Sequence, residues 1–235
     1  SRVTCKTYDL LNRVKEERVE DCNNNVFSRE EYEYDVNGNR ISVTTHTQAG
    51  TATTTKKYTP DGKPLSITDA LGKQTIFEYN YQHLHKGQLV LEITKTDPLG
   101  NREIKIHDTH ENVCCQMLRD PFGKIIQEES FYYDLLGHKT LSHITVYQGQ
   151  EQKRVIETEW EYDSMGNMIR SVEAKGTEEQ KIIRNHFNLY GEKYQIDMPN
   201  RLSIFNRYDI LGRLLTYVSS NKSIHYTYDY DFKDN

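Results

Sequence analysis

Along this chain apolar and polar side chains alternate singly. Ile156, Thr158, Trp160 and Tyr162 interleave with Glu157, Glu159 and Glu161. The same period of two runs through Phe77, Tyr79 and Tyr81, through Leu89, Leu91 and Ile93, and through Ile224, Tyr226 and Tyr228. Alternation of this kind puts successive side chains on opposite faces of a β-strand. No window of helical length carries an i, i+3, i+4, i+7 apolar stripe with caps. The pattern predicts an all-β chain in which helix is nearly absent.

The punctuation between strands repeats. Of thirteen glycines, seven have an aspartate three residues upstream. Gly38 follows Asp35, Gly72 follows Asp69, Gly100 follows Asp97 and Gly123 follows Asp120. Gly137 follows Asp134, Gly166 follows Asp163 and Gly212 follows Asp209. Composition alone would give fewer than one such pair, so a D-x-x-G unit is being repeated. Asp opens a type I turn by accepting a backbone N–H two residues on. Gly at the fourth position supplies positive φ and the bulge that closes a hairpin. Pro fits the second position, as in Asp97-Pro98-Leu99-Gly100, Asp120-Pro121-Phe122-Gly123 and Thr59-Pro60-Asp61-Gly62. Looser copies are Asp9-Leu10-Leu11-Asn12, with Asn at the left-handed site, and Asn188-Leu189-Tyr190-Gly191, with Asn as the cap. Asp108-Thr109-His110-Glu111 and Asp197-Met198-Pro199-Asn200 are the poorest copies. Proline third in a type I turn is disfavoured, so Asp197 to Asn200 is expected to turn differently. Gly50, Gly87, Gly149 and Gly176 fall in the long intervals and mark second turns, as do Asn23-Asn24-Asn25 and Ser219-Ser220-Asn221. Twelve unit turns with these extra ones predict roughly eighteen strands in one long antiparallel meander, curved by β-bulges at the glycines.

Composition narrows the architecture. Only 35% of residues are hydrophobic and mean hydropathy is −0.83, too little for a thick core between two sheets. A broad sheet with one modestly apolar face and one wet face fits, and seventeen tyrosines suit it, their rings packing while their hydroxyls reach water. No linker divides the chain, so residues 1–235 are expected to form a single continuous array. The chain opens on Ser1-Arg2-Val3, and its last copy, Tyr228-Asp229-Tyr230-Asp231, stops short of a full turn, so a fragment of a larger protein is expected. The net charge of −5 is interspersed, with no basic stripe, which argues against nucleic acid as a partner. No apolar run reaches spanning length, so no membrane insertion is expected. Cys5, Cys22, Cys114 and Cys115 contain no C-x-x-C; free thiols are expected, with a bridge between Cys5 and Cys22 the alternative. Cys114 and Cys115, adjacent on a strand, should point to opposite faces.

An array of aromatic-D-x-x-G-[N/R] units resembles the YD-repeat, or RHS-repeat, family. Its nearest matches are Tyr34-Asp35-Val36-Asn37-Gly38-Asn39-Arg40-Ile41, Tyr133 to His138, Tyr162 to Asn167 and Tyr208 to Leu214. The resemblance covers essentially the whole chain. It implies a β-hairpin strip that spirals into a hollow shell. In bacterial polymorphic toxins and insecticidal toxin complexes such a shell encloses a C-terminal toxic domain; in teneurins it belongs to a cell-surface adhesion protein. By the resemblance, this chain is a non-enzymatic wall segment. Its partner is the remainder of its own chain, including a C-terminal cargo domain, and the parent protein is secreted or at the cell surface. Self-association through open strand edges is a further expectation. The self-cleaving terminal region of toxin-type arrays has no counterpart after Tyr228, so neither cleavage nor toxicity is carried over. The alternative function is a cell-surface adhesion or carbohydrate/receptor-binding module using the Tyr-rich face.

Candidate chemistry is outweighed by structure throughout. The paired carboxylates that hydrolysis would need are already committed as turn caps. Asp35-Val36-Asn37-Gly38-Asn39 looks like the opening of a calcium loop, but its glycine comes two positions early and no closing Glu follows. Histidines pair as His83-x-His85 and His107-x-x-His110, and His83 and His85 would share a strand face, yet no third ligand is near in sequence. Nothing resembles G-x-S-x-G. Glu16 to Asp21 reads as a solvated hairpin. No catalytic residue, metal ligand or cofactor is assigned.

Overall fold

A computed structural model describes residues 2–23, 25–148 and 151–231 of the chain. The chain is all-β: nineteen strands and, among the described residues, no helix. It falls into two compact units, Ser1–Thr109 with Met117–Ile125, and His110–Gln116 with Ile126–Asn235.

The first unit is built on β1 (Arg2–Tyr8), β2 (Val14–Asp21), β3 (Val26–Tyr34), β4 (Arg40–Thr47), β5 (Gly50–Tyr58), β6 (Pro64–Thr68), β7 (Gln74–His85), β8 (Gln88–Thr96) and β9 (Arg102–His107). Each pairs antiparallel with the next. β10 (Val113–Arg119) contributes residues to both units. The second unit continues with β11 (Ile125–Tyr133), β12 (Lys139–Gln148), β13 (Glu151–Tyr162), β14 (Met168–Glu173), β15 (Lys181–Phe187), β16 (Lys193–Asp197), β17 (Ser203–Tyr208), β18 (Leu214–Ser219) and β19 (His225–Thr227). These too pair consecutively and antiparallel.

The turns form where the Asp–Gly spacing placed them. At Asp9, Asp35, Thr59, Asp69, Asp97, Asp120, Asp134, Asp163, Asn188 and Asp209, the first residue's N–H donates to the carbonyl four residues on. The fourth residue's N–H returns to the first carbonyl. The seven glycines of the D-x-x-G units, Gly38, Gly72, Gly100, Gly123, Gly137, Gly166 and Gly212, all take φ between 76° and 87°. Every other described glycine also has positive φ, and Asn12 and Glu111 take the same left-handed position at φ 60° and 67°. The frame at residues 197–200 is shifted by one. The turn runs from Met198, Arg201 has φ 62°, and Pro199 thereby occupies the favourable second position. The glycine-free turn expected at Asn23 to Asn25 is capped by Asp21, whose Oδ1 accepts the N–H groups of Asn23 and Asn25. Glu16 to Asp21 is accordingly part of β2 rather than a turn. Asn24 within that turn, and the turn expected at Gly149, lie outside the described residues.

The bulging is richer than expected. Beyond the bulge at each turn glycine, the ladder slips again where the aromatic-led hairpins begin. Tyr34 faces Arg40 while Glu33 faces Ser42, which leaves Ile41 extra on the outgoing strand. Lys15, Leu65, Thr140, Ile169, Tyr194 and Leu215 are extra in the same way.

The core is thin. Tyr32, Val90, Ile104 and Ile106 are buried in the first unit, and Cys115, Val172 and Ile204 in the second. Ser42, Ser66, Ser142, Ser171, Asn185 and Ser219 are buried beside them. Two of these serines make room for a large ring: Ser142 lies opposite Phe131 and Ser171 opposite Trp160.

Candidate functional site

The chemistry-bearing residues of this chain converge on its turns. In Asp35, Oδ1 accepts the N–H groups of Asn37 (2.9 Å) and Asn39 (2.8 Å), and Oδ2 accepts the Asn39 amide (2.8 Å). Asp97 and Asp163 repeat this with Asn101 and Asn167. Asp9 and Asp209 substitute an arginine at the fourth position beyond, Arg13 or Arg213, each at 2.7 Å. Asp134 uses His138 Nδ1 at 3.0 Å. Asp69 and Asp120 accept two backbone N–H groups each. Hydrogen bonds to the ionised form favour it, so the carboxyls of Asp35, Asp97 and Asp163 lie below the usual range, the Asn partner contributing most. Those of Asp9 and Asp209 are lowered chiefly by the backbone N–H of Arg13 and Arg213. A carboxylate held this way is a poor proton carrier at neutral pH. In the loop that looked like a calcium site, the Asp35 oxygens face these internal donors. The glycines that close these turns, Gly137 and Gly212 among them, have no side chain to offer and carry no chemistry beyond the bend.

The tyrosines do something the sequence reading missed. Their hydroxyls were expected in water, yet seven of them donate to backbone carbonyls. Tyr34 reaches Val14 O (2.7 Å), Tyr58 reaches Arg40 O (3.1 Å) and Tyr79 reaches Pro64 O (2.9 Å). In the second unit the pairs are Tyr133–Val113, Tyr162–Lys139, Tyr208–Lys193 and Tyr230–Leu214, at 2.7–2.9 Å. Each acceptor is the residue just past the preceding turn on the same rim. The reason is steric and local. Pairing between β4 and β5 stops at Ser42↔Thr55, so the Arg40 carbonyl faces β5 without a ladder partner, and the hydroxyl supplies the missing donor. Phe187 stands at the aromatic position without a hydroxyl, and there the Asn185 amide bonds the equivalent carbonyl of Met168 at 2.8 Å. The sequence signal was available: tyrosine precedes Asp35, Asp134, Asp163 and Asp209, whereas Thr68 and Thr96 precede Asp69 and Asp97.

The same rim is tied by cations over rings. Arg13 lies 4.5 Å over Tyr34 and Arg213 4.6 Å over Tyr230, while the His138 ring stacks on Tyr162 at 4.7 Å. Arg13 also donates to Asp35 O at 3.3 Å. One turn thus holds the next.

The nearest approach to a catalytic constellation is His186, Asp197 and Ser203. His186 Nε2 lies 2.8 Å from Asp197 Oδ2, and Ser203 Oγ and Gln195 Nε2 each donate to Asp197 Oδ1 at 2.8 Å. These hydrogen bonds, that of Gln195 first, hold the Asp197 carboxyl down at about 2. The frame shift of the neighbouring turn is what releases this aspartate from capping. In a hydrolytic triad the serine gives its proton to histidine. Here the Ser203 hydroxyl donates its hydrogen bond to the carboxylate instead of to His186, so the serine–histidine pairing of a triad is not formed.

His83 and His85 do share a face, with ring centroids 6.5 Å apart, and His83 Nδ1 is 3.0 Å from Glu92. His107 ends β9 and His110 sits in the following turn. Among the described residues no three His, Cys, Asp or Glu side chains gather to hold a metal. No disulfide joins the four cysteines; Cys5 Sγ approaches Glu20 at 3.3 Å, and this hydrogen bond raises the thiol pKa. Cys115 is buried and its neighbour Cys114 half-buried, as opposite faces require.

No family model matches the sequence, and no curated protein matches it. Solved structures do resemble the chain. The crystal structure of TcdB2-TccC3-Cdc42 matches with 11% identity and a TM-score of 0.40 over 99% of this chain and 15% of that one. The Tc holotoxin pore of Photorhabdus luminescens matches with 12% identity and a TM-score of 0.35 over 98% and 14%. A porin-like protein from Bacteroides uniformis matches with 12% identity and a TM-score of 0.34 over 93% and 94%. The chain thus spans about one seventh of the Tc proteins it matches.

Proposed function

We propose that this chain is a non-enzymatic structural scaffold: a continuous wall segment of an RHS-type shell that encapsulates a C-terminal toxin domain of a secreted or surface protein. The observation that carries the reading is the consumption of its functional groups. Aspartates, tyrosine hydroxyls, arginines and imidazoles are spent, turn after turn, on holding one hairpin to the next. A wall needs this. Repeat arrays are stabilised by nearest-neighbour contacts, so each hairpin must be fastened to its neighbours. The partner in this reading is the remainder of the same polypeptide, the cargo domain included.

The test is a set of single alanine variants at Asp35, Asp134, Asp163 and Asp209, melted beside an assay of cargo release from the parent protein. A scaffold role gives losses in melting temperature of similar size at all four turns, nearly additive for Asp35 with Asp209, and coupled for the neighbours Asp134 and Asp163 through His138. An aspartate neutral for stability yet required for an activity would overturn the reading. A screen of the chain on a glycan array separates the adhesion alternative. Tight binding to one glycan class, lost on changing exposed tyrosines such as Tyr190 and Tyr226, would replace a wall with a receptor-binding module.

A further inference from the structure

The turns of the second unit carry a feature that neither capping nor hairpin closure demands. The two central positions of a type I turn accept most residues, and on a solvent-facing tip polar ones are the ordinary choice. Four turns of this unit lie on one rim, since they join β11 to β12, β13 to β14, β15 to β16 and β17 to β18. Their eight central positions are Leu135-Leu136, Ser164-Met165, Leu189-Tyr190 and Ile210-Leu211. Seven of the eight are large and apolar, and all seven are exposed. Leu135, Leu189 and Ile210 stand at 105%, 93% and 101% exposure, so nothing in the unit covers them. The opposite rim is different in kind: its turns are Ala174-Lys175-Gly176-Thr177, Met198-Pro199-Asn200-Arg201 and Ser219-Ser220-Asn221-Lys222.

We infer that the rim at Leu135, Met165, Leu189 and Ile210 is an interface for a second copy of this chain, with two rims meeting in opposite directions about a two-fold axis. Three observations select a like partner. The tips recur every two strands, about 10 Å apart, giving a row roughly 30 Å long that only a surface of equal period can mesh with along its length. A second copy of the same rim has that period by construction, and a two-fold contact uses the same patch on both sides. The capping carboxylates of the rim are also tied down inside their own turns. Asp134, Asp163 and Asp209 are hydrogen-bonded within their own turns by His138, Asn167 and Arg213. Finally, the area suffices. Seven such side chains at about 100 Å² of apolar surface each give roughly 700 Å² per copy, beyond a usual monomer patch. Two copies reach about 1,400 Å², inside the range of specific interfaces. The proposal is independent of the scaffold reading, and its surface is the turn tips, not the open strand edges.

Sedimentation of the chain across a concentration series tests it, beside the triple variant Leu135→Ser, Leu189→Ser, Ile210→Ser. These tips make no packing contact within the unit, so circular dichroism and the melting temperature should be unchanged. A dimer is expected for the natural sequence, with dissociation at least tenfold easier in the triple variant. A benzophenone side chain placed at position 190 should crosslink to the 135, 165, 189 or 210 tips of another copy. A chain monomeric at all concentrations, or a dimer indifferent to the serines, would overturn the inference. So would crosslinks confined to β1 or β19. A monomer that floats with neutral lipid vesicles and loses this in the triple variant would also overturn it, by making the partner a lipid surface.

Discussion

The hairpins led by tyrosine and those led by threonine use one cap to different ends. At Asp69 and Asp97 the strands enter through Thr68 and Thr96 and leave in register: Thr68 faces Gln74 and Ile67 faces Thr75, with no residue to spare. Thr96 closes β8 and Arg102 opens β9 equally cleanly. At Asp35, Asp134, Asp163 and Asp209 the entering residue is tyrosine, and the outgoing strand carries an extra residue. That extra residue ends the pairing with the following strand early and exposes a carbonyl, which the next tyrosine hydroxyl takes, or after Asp163 the Asn185 amide. The aspartate therefore closes the hairpin in both kinds, while the aromatic residue decides whether the hairpin is fastened to its neighbour. Asp21 is the exception, since Glu20 precedes it and Phe27 is still extra.

The comparison can be broken first at the glycines. A Cβ on Gly166 would lie 3.1 Å from His138 Nε2, at φ 83°, whereas one on Gly72 would meet nothing within 4 Å at φ 76°. Gly72→Val should cost about 1–3 kcal/mol from backbone strain alone. Gly166→Val should exceed it by about 1 kcal/mol or more, because the imidazole stacked on Tyr162 must move. Urea melts of the two variants measure the difference, and equal losses would detach the tyrosine-led rim from its neighbour contacts.

The hydroxyls come next. Tyr34→Phe and Tyr162→Phe keep the ring and remove the donor, leaving a carbonyl unpaired, for about 0.5–1.5 kcal/mol each. Tyr226→Phe, in β19, changes a side chain that is 56% exposed and should stay within about 0.5 kcal/mol of the natural protein. Asn185→Ala should behave like the tyrosine changes, because its amide replaces the hydroxyl that Phe187 lacks. Chemical denaturation of all four variants distinguishes the clasp from simple ring packing.

Acid should separate Asp197 from the turn caps. Its carboxyl lies at about 2 in the folded chain against an ordinary 3.8. A depressed folded value means the stabilisation is complete above pH about 3.8 and is lost as the pH falls towards about 2. Asp197→Asn should lower the melting temperature at neutral pH, where that stabilisation is complete, and the deficit should shrink as the pH falls through the window. An unchanged acid profile in this variant would show that the His186–Ser203–Gln195 cluster does not hold the carboxylate. The smallest effect belongs to the surface ion pairs. Lys6 and Glu17, 3.2 Å apart and well exposed, face each other across β1 and β2, and Lys6→Gln should cost under about 0.5 kcal/mol, vanishing in high salt.

What the sequence determined is what neighbours along the chain can determine. An aspartate and a glycine three residues apart form a turn through bonds that begin and end within five residues, so turn sites were legible even where Asn12 or Asn188 replaced the usual residue. Alternation of apolar and polar positions likewise gave the strands, because the period of two is a property of the extended backbone. The shifted turn was half legible: Pro199 showed that Asp197 could not open it, but not that the freed carboxylate would bind His186 from β15. Of what passes between hairpins the sequence marked only the tyrosine before each such aspartate, and not its partner. The clasp of Tyr58 on Arg40 joins residues 18 apart, and that of Tyr162 on Lys139 residues 23 apart. Their meeting depends on where strand pairing stops, and that is set by an extra residue in the ladder rather than by any local preference. Tyrosine has one hydroxyl whether it faces water or a stranded carbonyl; only the register of the neighbouring strand chooses between them.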